Sequence, residues 1–292
     1  MEQLSQSSTF RSVKLPALSC NSHCHIIGPF ARFPLVVGHI NPPPEAPKEE
    51  LFTLHDDLGI QRTVIVESVV HGFNHDIAID AISIRPTDTL AVALVKPEID
   101  LNQLLALTKK GFRGARFHLV KQMRECVEFR VIREFSKKAA DADWHIQLHL
   151  HGDELIEFAH EIPKLPVQVI IDHMAYPNAA LGVNQPEFQC LMDLMEAPNV
   201  WVKVSGCDRA TRAGPPYDDV VPFGAALVER YPDRVLWGTD WPHLQITPPS
   251  DDYILVDFIA KIAPSEESRI KLLVDNPDRL YGFKALANGA SA

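Results

Sequence analysis

What the 292-residue chain lacks narrows its function before any motif is read. Its five cysteines (Cys20, Cys24, Cys126, Cys190 and Cys207) are odd in number and form no C-x-x-C pair. That argues against a disulfide framework and for a reducing, cytoplasmic setting. No apolar run reaches the roughly 20 residues of a membrane-spanning helix. The opening MEQLSQSSTFRSVKLPAL has no apolar core, so it does not read as a secretory signal. Positive charge is also in short supply, with 28 basic residues against 38 acidic and a net charge of −10. Nucleic acid and anionic membranes are therefore poor partners for the overall field, although a local cationic pocket is still allowed. No G-x-G-x-x-G follows the first apolar strand, which disfavours an open dinucleotide-binding sheet. There is no internal repeat or low-complexity tract.

What is present is a regular alternation. Hydrophobic residues make up 46% of the chain, enough for a large core. Eight short β-rich runs recur at residues 18–25, 63–69, 90–95, 114–119, 145–150, 167–173, 200–205 and 235–240. Segments with helical spacing of apolar residues separate them, among them 101–108, 127–142 and 220–231. Strands alternating with helices imply parallel strands joined by right-handed crossovers. Eight such units predict an α/β fold, a distorted (β/α)8 TIM barrel, over residues 13–292 as one domain, with residues 1–12 as a flexible tail. The proline-rich stretch from Asn41 to Pro47 reads as a rigid loop after strand one.

Active sites of such barrels lie at the C-terminal ends of the strands, and the polar residues collect there. His23 and His25 end the first run, His149 and His151 the fifth, His173 the sixth and Asp240 the eighth. In a strand, residues i and i+2 share a face, so His23 and His25 both turn toward the barrel axis and Cys24 toward the helices. The same alternation sends Asp172 away from His173, toward a helix. Two imidazoles on one face can bind a metal or polarise a carbonyl. A carboxylate beside them is a natural base for water. Cys207 lies near this group, but no dedicated base accompanies it, so a thiol nucleophile is not expected. Trp144, Trp201 and Trp237 read as packing residues, and Trp241 as a wall of the pocket. His71 is the histidine outside the site that most invites a functional role.

The ordered motifs NSHCHIIGP, VIIDHMAYP, WVKVSGCDR, LWGTDWPH and VDNPDRLYGF resemble the amidohydrolase-2 branch of the amidohydrolase superfamily. Within it they resemble the 2-pyrone-4,6-dicarboxylate lactonase group, over about residues 20–283. The resemblance implies a water activated by Asp240, with His23, His25 and His173 around a substrate carbonyl. It implies no obligatory metal. Related branches bind zinc or manganese through equivalent residues, so one divalent ion on His23, His25, His173 and Asp240 is the alternative. A bridging carbamate needs a lysine on strand four, where this chain has Arg116, so a two-metal site is disfavoured. Arg116 and Arg209 match carboxylate-binding arginines of the group.

Several recognition positions depart from that pattern. Gln122 replaces a second arginine after strand four, His149 stands where a tyrosine is expected, and Ser68 with Val69 covers a serine position. The tyrosine of the loop after strand one falls on Ile40 or Asn41. His118, Lys121 and Arg124 are near enough in sequence to compensate for the lost arginine. Arg116, Arg209, His149, Gln122 and Ser68 are therefore the candidate substrate-binding residues. The expected reaction is opening of a lactone carrying a carboxylate, on a substrate other than 2-pyrone-4,6-dicarboxylate. The alternative is a metal-dependent decarboxylase of an aromatic or unsaturated acid. The expected partner is a small molecule, and a homo-oligomer is left open.

Overall fold

The computed structural model describes residues 13–36, 42–123 and 125–283. The proposed tail over residues 1–12, the Ile40 and Asn41 positions and Arg124 lie outside the described residues.

Eight parallel strands form one sheet in sequential order. They are β1 (Cys20–Cys24), β2 (Arg62–Val66), β3 (Thr89–Ala93), β4 (Phe112–His118), β5 (His145–His149), β6 (Val169–Ile171), β7 (Val200–Lys203) and β8 (Val235–Leu236). The sheet closes through backbone hydrogen bonds between the first and last segments. Ser22 N–H donates to Trp237 O at 2.9 Å, Asp240 N–H to His23 O at 2.9 Å and His25 N–H to Trp241 O at 2.8 Å. Gly238 makes this approach feasible, because a Cβ there would lie 2.5 Å from the His23 nitrogen. The architecture is the expected (β/α)8 barrel.

The three helices read from apolar spacing fall at Leu101–Lys109, Phe129–Asp141 and Val221–Arg230. Helix Phe129–Asp141 buries Phe129, Ile132, Phe135, Ser136 and Ala139, a stripe at i, i+3, i+6, i+7 and i+10 that packs on the outside of the sheet. The outward strand residues Ile65, Ala91, Ala115, Ile146, Ile171 and Val202 belong to the same core layer.

Inside the barrel the chain is two-faced along its axis. Cys20, Val64, Val66, Leu90, Val92, Ile170, Trp201 and Leu236 form an apolar lower layer, closed from below by Tyr281 and Phe283. Above it the inward positions turn polar, with Arg116 and His118 on β4, Gln147 and His149 on β5, and Lys203 on β7. Register slips between Asn21 and Cys24. That slip explains how Cys20 faces the lower layer while His23, three residues on, faces the site, a spacing that regular two-residue alternation does not give. Cys24 packs among the helix-facing core residues, as expected.

The ends of two strands differ from the sequence reading. β6 stops at Ile171 and β8 at Leu236, so Asp172, His173 and Asp240 sit on turns beyond the ladders. His173 has φ 49° and Asp240 φ 62°, both in the left-handed region. Once the backbone leaves the extended conformation the period-two rule no longer applies. Asp172 keeps the inward phase of Ile170 two residues before it, and the left-handed turn brings His173 inward beside it; this corrects the expectation that Asp172 faces a helix.

Candidate active site

Asp240 is the hub. It is 3% exposed, and one of its oxygens, Oδ1, faces three imidazoles. His25 Nε2 lies 3.2 Å from it, His23 Nε2 3.5 Å and His173 Nε2 3.8 Å. The other oxygen, Oδ2, accepts from Arg209 Nε at 2.8 Å. The four catalytic candidates are thus brought together from the tips of β1, β6 and β8. Asn21 joins the first and last of these tips. Its Oδ1 accepts from His23 N–H at 3.2 Å and Thr239 N–H at 3.1 Å, and its Nδ2 donates to Thr239 Oγ1 at 2.9 Å.

Each imidazole is oriented by its second nitrogen. His25 Nδ1–H donates to Val66 O at 2.7 Å, which leaves a lone pair on Nε2 when the ring is neutral. His173 Nδ1 lies 2.9 Å from Ser205 Oγ. His23 Nδ1 lies 3.2 Å from the ammonium of Lys203. Burial, set against the pull of Asp240, lowers the His173 imidazole to about 4. Burial and the Lys203 charge hold His23 well below the usual histidine range. Asp240 is held well below the ordinary carboxylate range: burial opposes ionisation, but His173 and Arg209 outweigh it.

A second buried carboxylate lies beneath. Asp172 Oδ2 accepts from Arg116 Nε at 2.8 Å and Gln147 Nε2 at 3.0 Å, and Oδ1 lies 3.3 Å from His23 Nδ1. Lys203, with 0% exposure, donates to Gln147 Oε1 at 2.7 Å. Arg209 stands on a short helix, Cys207–Ala210, that starts at Gly206 with φ 73°. A side chain at Gly206 would meet His173 Cβ at 2.9 Å, so glycine lets Arg209 and His173 sit side by side.

The cavity above holds about 330 Å³ and is walled by His25, Ser68, Arg116, His149, Arg209 and Asp240, among others. One wall is a relay of neutral groups. His118 Nδ1 lies 2.7 Å from His149 Nδ1, and His149 Nε2 lies 3.0 Å from Tyr176 Oη. Burial pushes His118 down to about 3 and His149 further below the histidine range. Of the five candidate binding residues, Arg116, Arg209, His149 and Ser68 line this cavity. Gln122 is exposed on the loop after β4 and is not among its lining residues. Trp241 packs with Ile27, Ala46 and Val70 instead of lining the cavity. His71 is buried, and its Nε2 accepts from Gly28 N–H at 3.1 Å. Cys207 is buried, and burial drives its thiol well above the usual range, which suits packing.

Sequence reasoning missed Lys203, Gln147, Tyr176 and the inward turn of Asp172. Lys203 was readable in principle, because WVKVS puts a lysine in phase with Trp201 on a strand of a closed barrel, where one face must point inward.

Two triads, His23–Asp172–His173 and His23–His25–Asp240, bring potential ligand atoms within 4.8 Å of one another and could hold a metal ion. Both draw on His23. No helix among the described residues is long and apolar enough to cross a membrane.

Comparison with known proteins identifies the family and the fold. The amidohydrolase family matches residues 20–283. The chain is 39% identical over 278 residues to 2-pyrone-4,6-dicarboxylate hydrolase of Comamonas testosteroni, with 92% of this chain and 91% of that one covered. It is 36% identical over 284 residues to 4-sulfomuconolactone hydrolase of Hydrogenophaga intermedia, with 94% and 92% covered. A solved structure titled as a putative 2-pyrone-4,6-dicarboxylic acid hydrolase from Pseudomonas putida superposes with TM-score 0.82 at 24% identity, covering 92% of this chain and 99% of that one. The match spans β1 through Phe283 and takes in every strand tip that supplies the site, so the chain belongs to the amidohydrolase family.

Proposed function

We propose that this protein opens a lactone of a carboxylate-bearing small molecule, using water activated by Asp240 and no obligatory metal. The observation that carries the reading is the division of Asp240, with one oxygen held by Arg209 and the other facing three imidazoles at the floor of an arginine-flanked cavity. Relatives at 39% and 36% identity are named as hydrolases of a pyrone dicarboxylate and of a sulfomuconolactone, which supports a cyclic ester as the substrate class.

In this mechanism Asp240 Oδ1 takes a proton from water as the water oxygen attacks the lactone carbonyl carbon. The carbonyl oxygen gains the negative charge and accepts a hydrogen bond from an imidazole N–H of the site. Collapse of the tetrahedral intermediate breaks the ring C–O bond. Protonated Asp240 returns its proton to the leaving oxygen, and a ring-opened hydroxy acid departs. Arg116 presents its guanidinium to the cavity after anchoring Nε on Asp172, and it would bind the substrate carboxylate.

The two metal-capable triads favour a second reading, a decarboxylase in which His23, His25, His173 and Asp240 hold zinc or manganese. Such an ion would act as a Lewis acid on the substrate. A cytoplasmic location fits the five free cysteines.

The test is turnover of a panel of carboxylated lactones before and after exhaustive chelation, with elemental analysis of the purified protein. Chelator-resistant ring opening supports the proposal. Activity lost on chelation and restored by zinc or manganese, with CO2 release from acids, would replace it with the second reading.

A further inference from the structure

Lys203 is a buried charged group at the site floor that neither acid–base chemistry nor substrate binding uses. It is a lysine on β7 with 0% exposure, one layer above Trp201. Burying an ammonium is costly unless its charge and its donors are met. The nearest carboxylate, Asp172, is 3.8 Å away and spends its other oxygen on Arg116 and Gln147. The two hydrogen-bonding contacts of Lys203 are instead neutral: Gln147 Oε1 at 2.7 Å and His23 Nδ1 at 3.2 Å. A simple ion pair does not account for that arrangement.

The contact with His23 has a chemical consequence. An ammonium has only donors, so a hydrogen bond to His23 Nδ1 requires the lone pair there. A neutral imidazole then carries its single proton on Nε2. Asp172 Oδ1, 3.3 Å from the same Nδ1, would favour the opposite tautomer, but the Lys203 contact is the shorter and this oxygen finds no hydrogen-bond partner among the described residues. His23 Nε2 is buried, 3.5 Å from Asp240 Oδ1, and likewise finds no hydrogen-bond partner among them. It is a donor turned toward Asp240 Oδ1, the oxygen that the proposed mechanism assigns to water activation.

We infer that Lys203 is a positioning residue that locks His23 in the Nε2–H tautomer, making His23 a donor toward Asp240 and the atoms reacting there and a poor metal ligand. Both metal-capable triads include His23. Ligation through Nε2 would need that single proton moved to Nδ1, against the ammonium of Lys203. Ligation through Nδ1 would need the ammonium displaced. The carboxylate of Asp172, 3.8 Å from the lysine nitrogen, favours its ammonium form. The donor role rests on the lactonase reading, but the tautomer and the metal discrimination do not.

The first experiment is 15N NMR of ring-labelled histidine in the full chain, with the His23 signals identified by their loss in His23→Gln. The expected result is a pyridine-like shift at Nδ1 and a pyrrole-like shift at Nε2. In Lys203→Met the pattern inverts, with Nδ1–H donating to Asp172. The same variant is expected to bind zinc roughly tenfold or more tightly than wild type in calorimetry, the scale on which groups behind a ligand tune metal affinity. Its kcat on a lactone substrate falls on the order of a hundredfold, with KM little changed. A pyrrole-like Nδ1 in the wild type, or equal zinc affinity in the two proteins, overturns the inference whether or not a lactone is turned over. If Lys203→Met does not fold, the wild-type spectrum alone decides.

Discussion

Arg209 engages Asp240 through Oδ2 alone, with Nε at 2.8 Å and Nη2 at 2.7 Å, and leaves Oδ1 to the imidazoles of His25, His23 and His173. The carboxylate is therefore both anchored and exposed to reaction. Asp240→Asn keeps the shape but loses the proton acceptor. Its kcat on a lactone should fall by about 10²–10⁴, the range for a positioned general base, while binding of the ring-opened product stays measurable. Steady-state kinetics beside calorimetric product binding would check this, and turnover within a few-fold of wild type would remove Asp240 from the base role.

Asp172 is the counter-charge of the barrel floor, with Arg116 at 2.8 Å and Lys203 at 3.8 Å. Asp172→Asn leaves two buried cations without a nearby anion in that layer, so a loss of about 3–5 kcal/mol in urea unfolding is expected. Arg116 and the neighbouring charges hold the Asp172 carboxyl well below its ordinary value, against the opposing effect of burial. Its folded pKa is depressed, so its contribution is fully present above the unfolded value and is lost as pH falls through the folded one. Acid titration of stability should therefore be shallower in the variant than in wild type. Parallel slopes would mean that Asp172 is not a main source of acid sensitivity.

A second buried charge stands behind the reacting carboxylate. His243 Nε2 lies 3.1 Å from Asp252 and its Nδ1 3.7 Å from Asp208. The two aspartates, opposing burial, raise His243 to about 9. Here the folded pKa lies above the unfolded one. The stabilisation is therefore full below about 6.5 and is lost as pH climbs through about 9. His243→Gln should cost about 3 kcal/mol at pH 6 and progressively less above pH 9. Urea midpoints of both proteins from pH 6 to 10 would test it, and a constant gap would assign His243 to packing alone.

How much of this was legible in the sequence follows from which residues lie on regular strands. His23 and His25 obey period-two alternation and both reach Asp240. Arg116 on β4 likewise points inward, as its place in GARFHL implies. Asp172 was misplaced because its phase was taken from His173: Asp172 follows Ile170 inward, and it is His173, in the left-handed turn beyond β6, that leaves the alternation. Lys203 was hidden for another reason. A lysine between valines reads as a solvated position, and only closure of the barrel gives that face an interior. Tyr176 belongs to the same left-handed turn, so no periodic signal announced that its ring would cover His149 and His173.

Substrate charge is where this chain is expected to part from a dicarboxylate enzyme. Two guanidinium groups line the cavity among the described residues, and both are partly committed, Arg116 to Asp172 and Arg209 to Asp240. The rest of the lining includes His118, His149, His151 and Tyr176. His118 and His149 are kept neutral by burial, so they supply hydrogen bonds without charge. One anionic group is well met there, and a second would be buried against neutral donors. A missing charge-assisted contact of about 1.5–3 kcal/mol corresponds to roughly 10–100-fold in kcat/KM. Lactones with one carboxylate should therefore outperform matched dicarboxylates by about that factor. Gln122→Ala, at an exposed position off the cavity wall, should change neither value more than about twofold, in line with ordinary surface substitutions. A dicarboxylate preferred over its monocarboxylate partner would mean that a third cationic group reaches the cavity. A large effect of Gln122→Ala would point to the loop after β4 as the element that brings it.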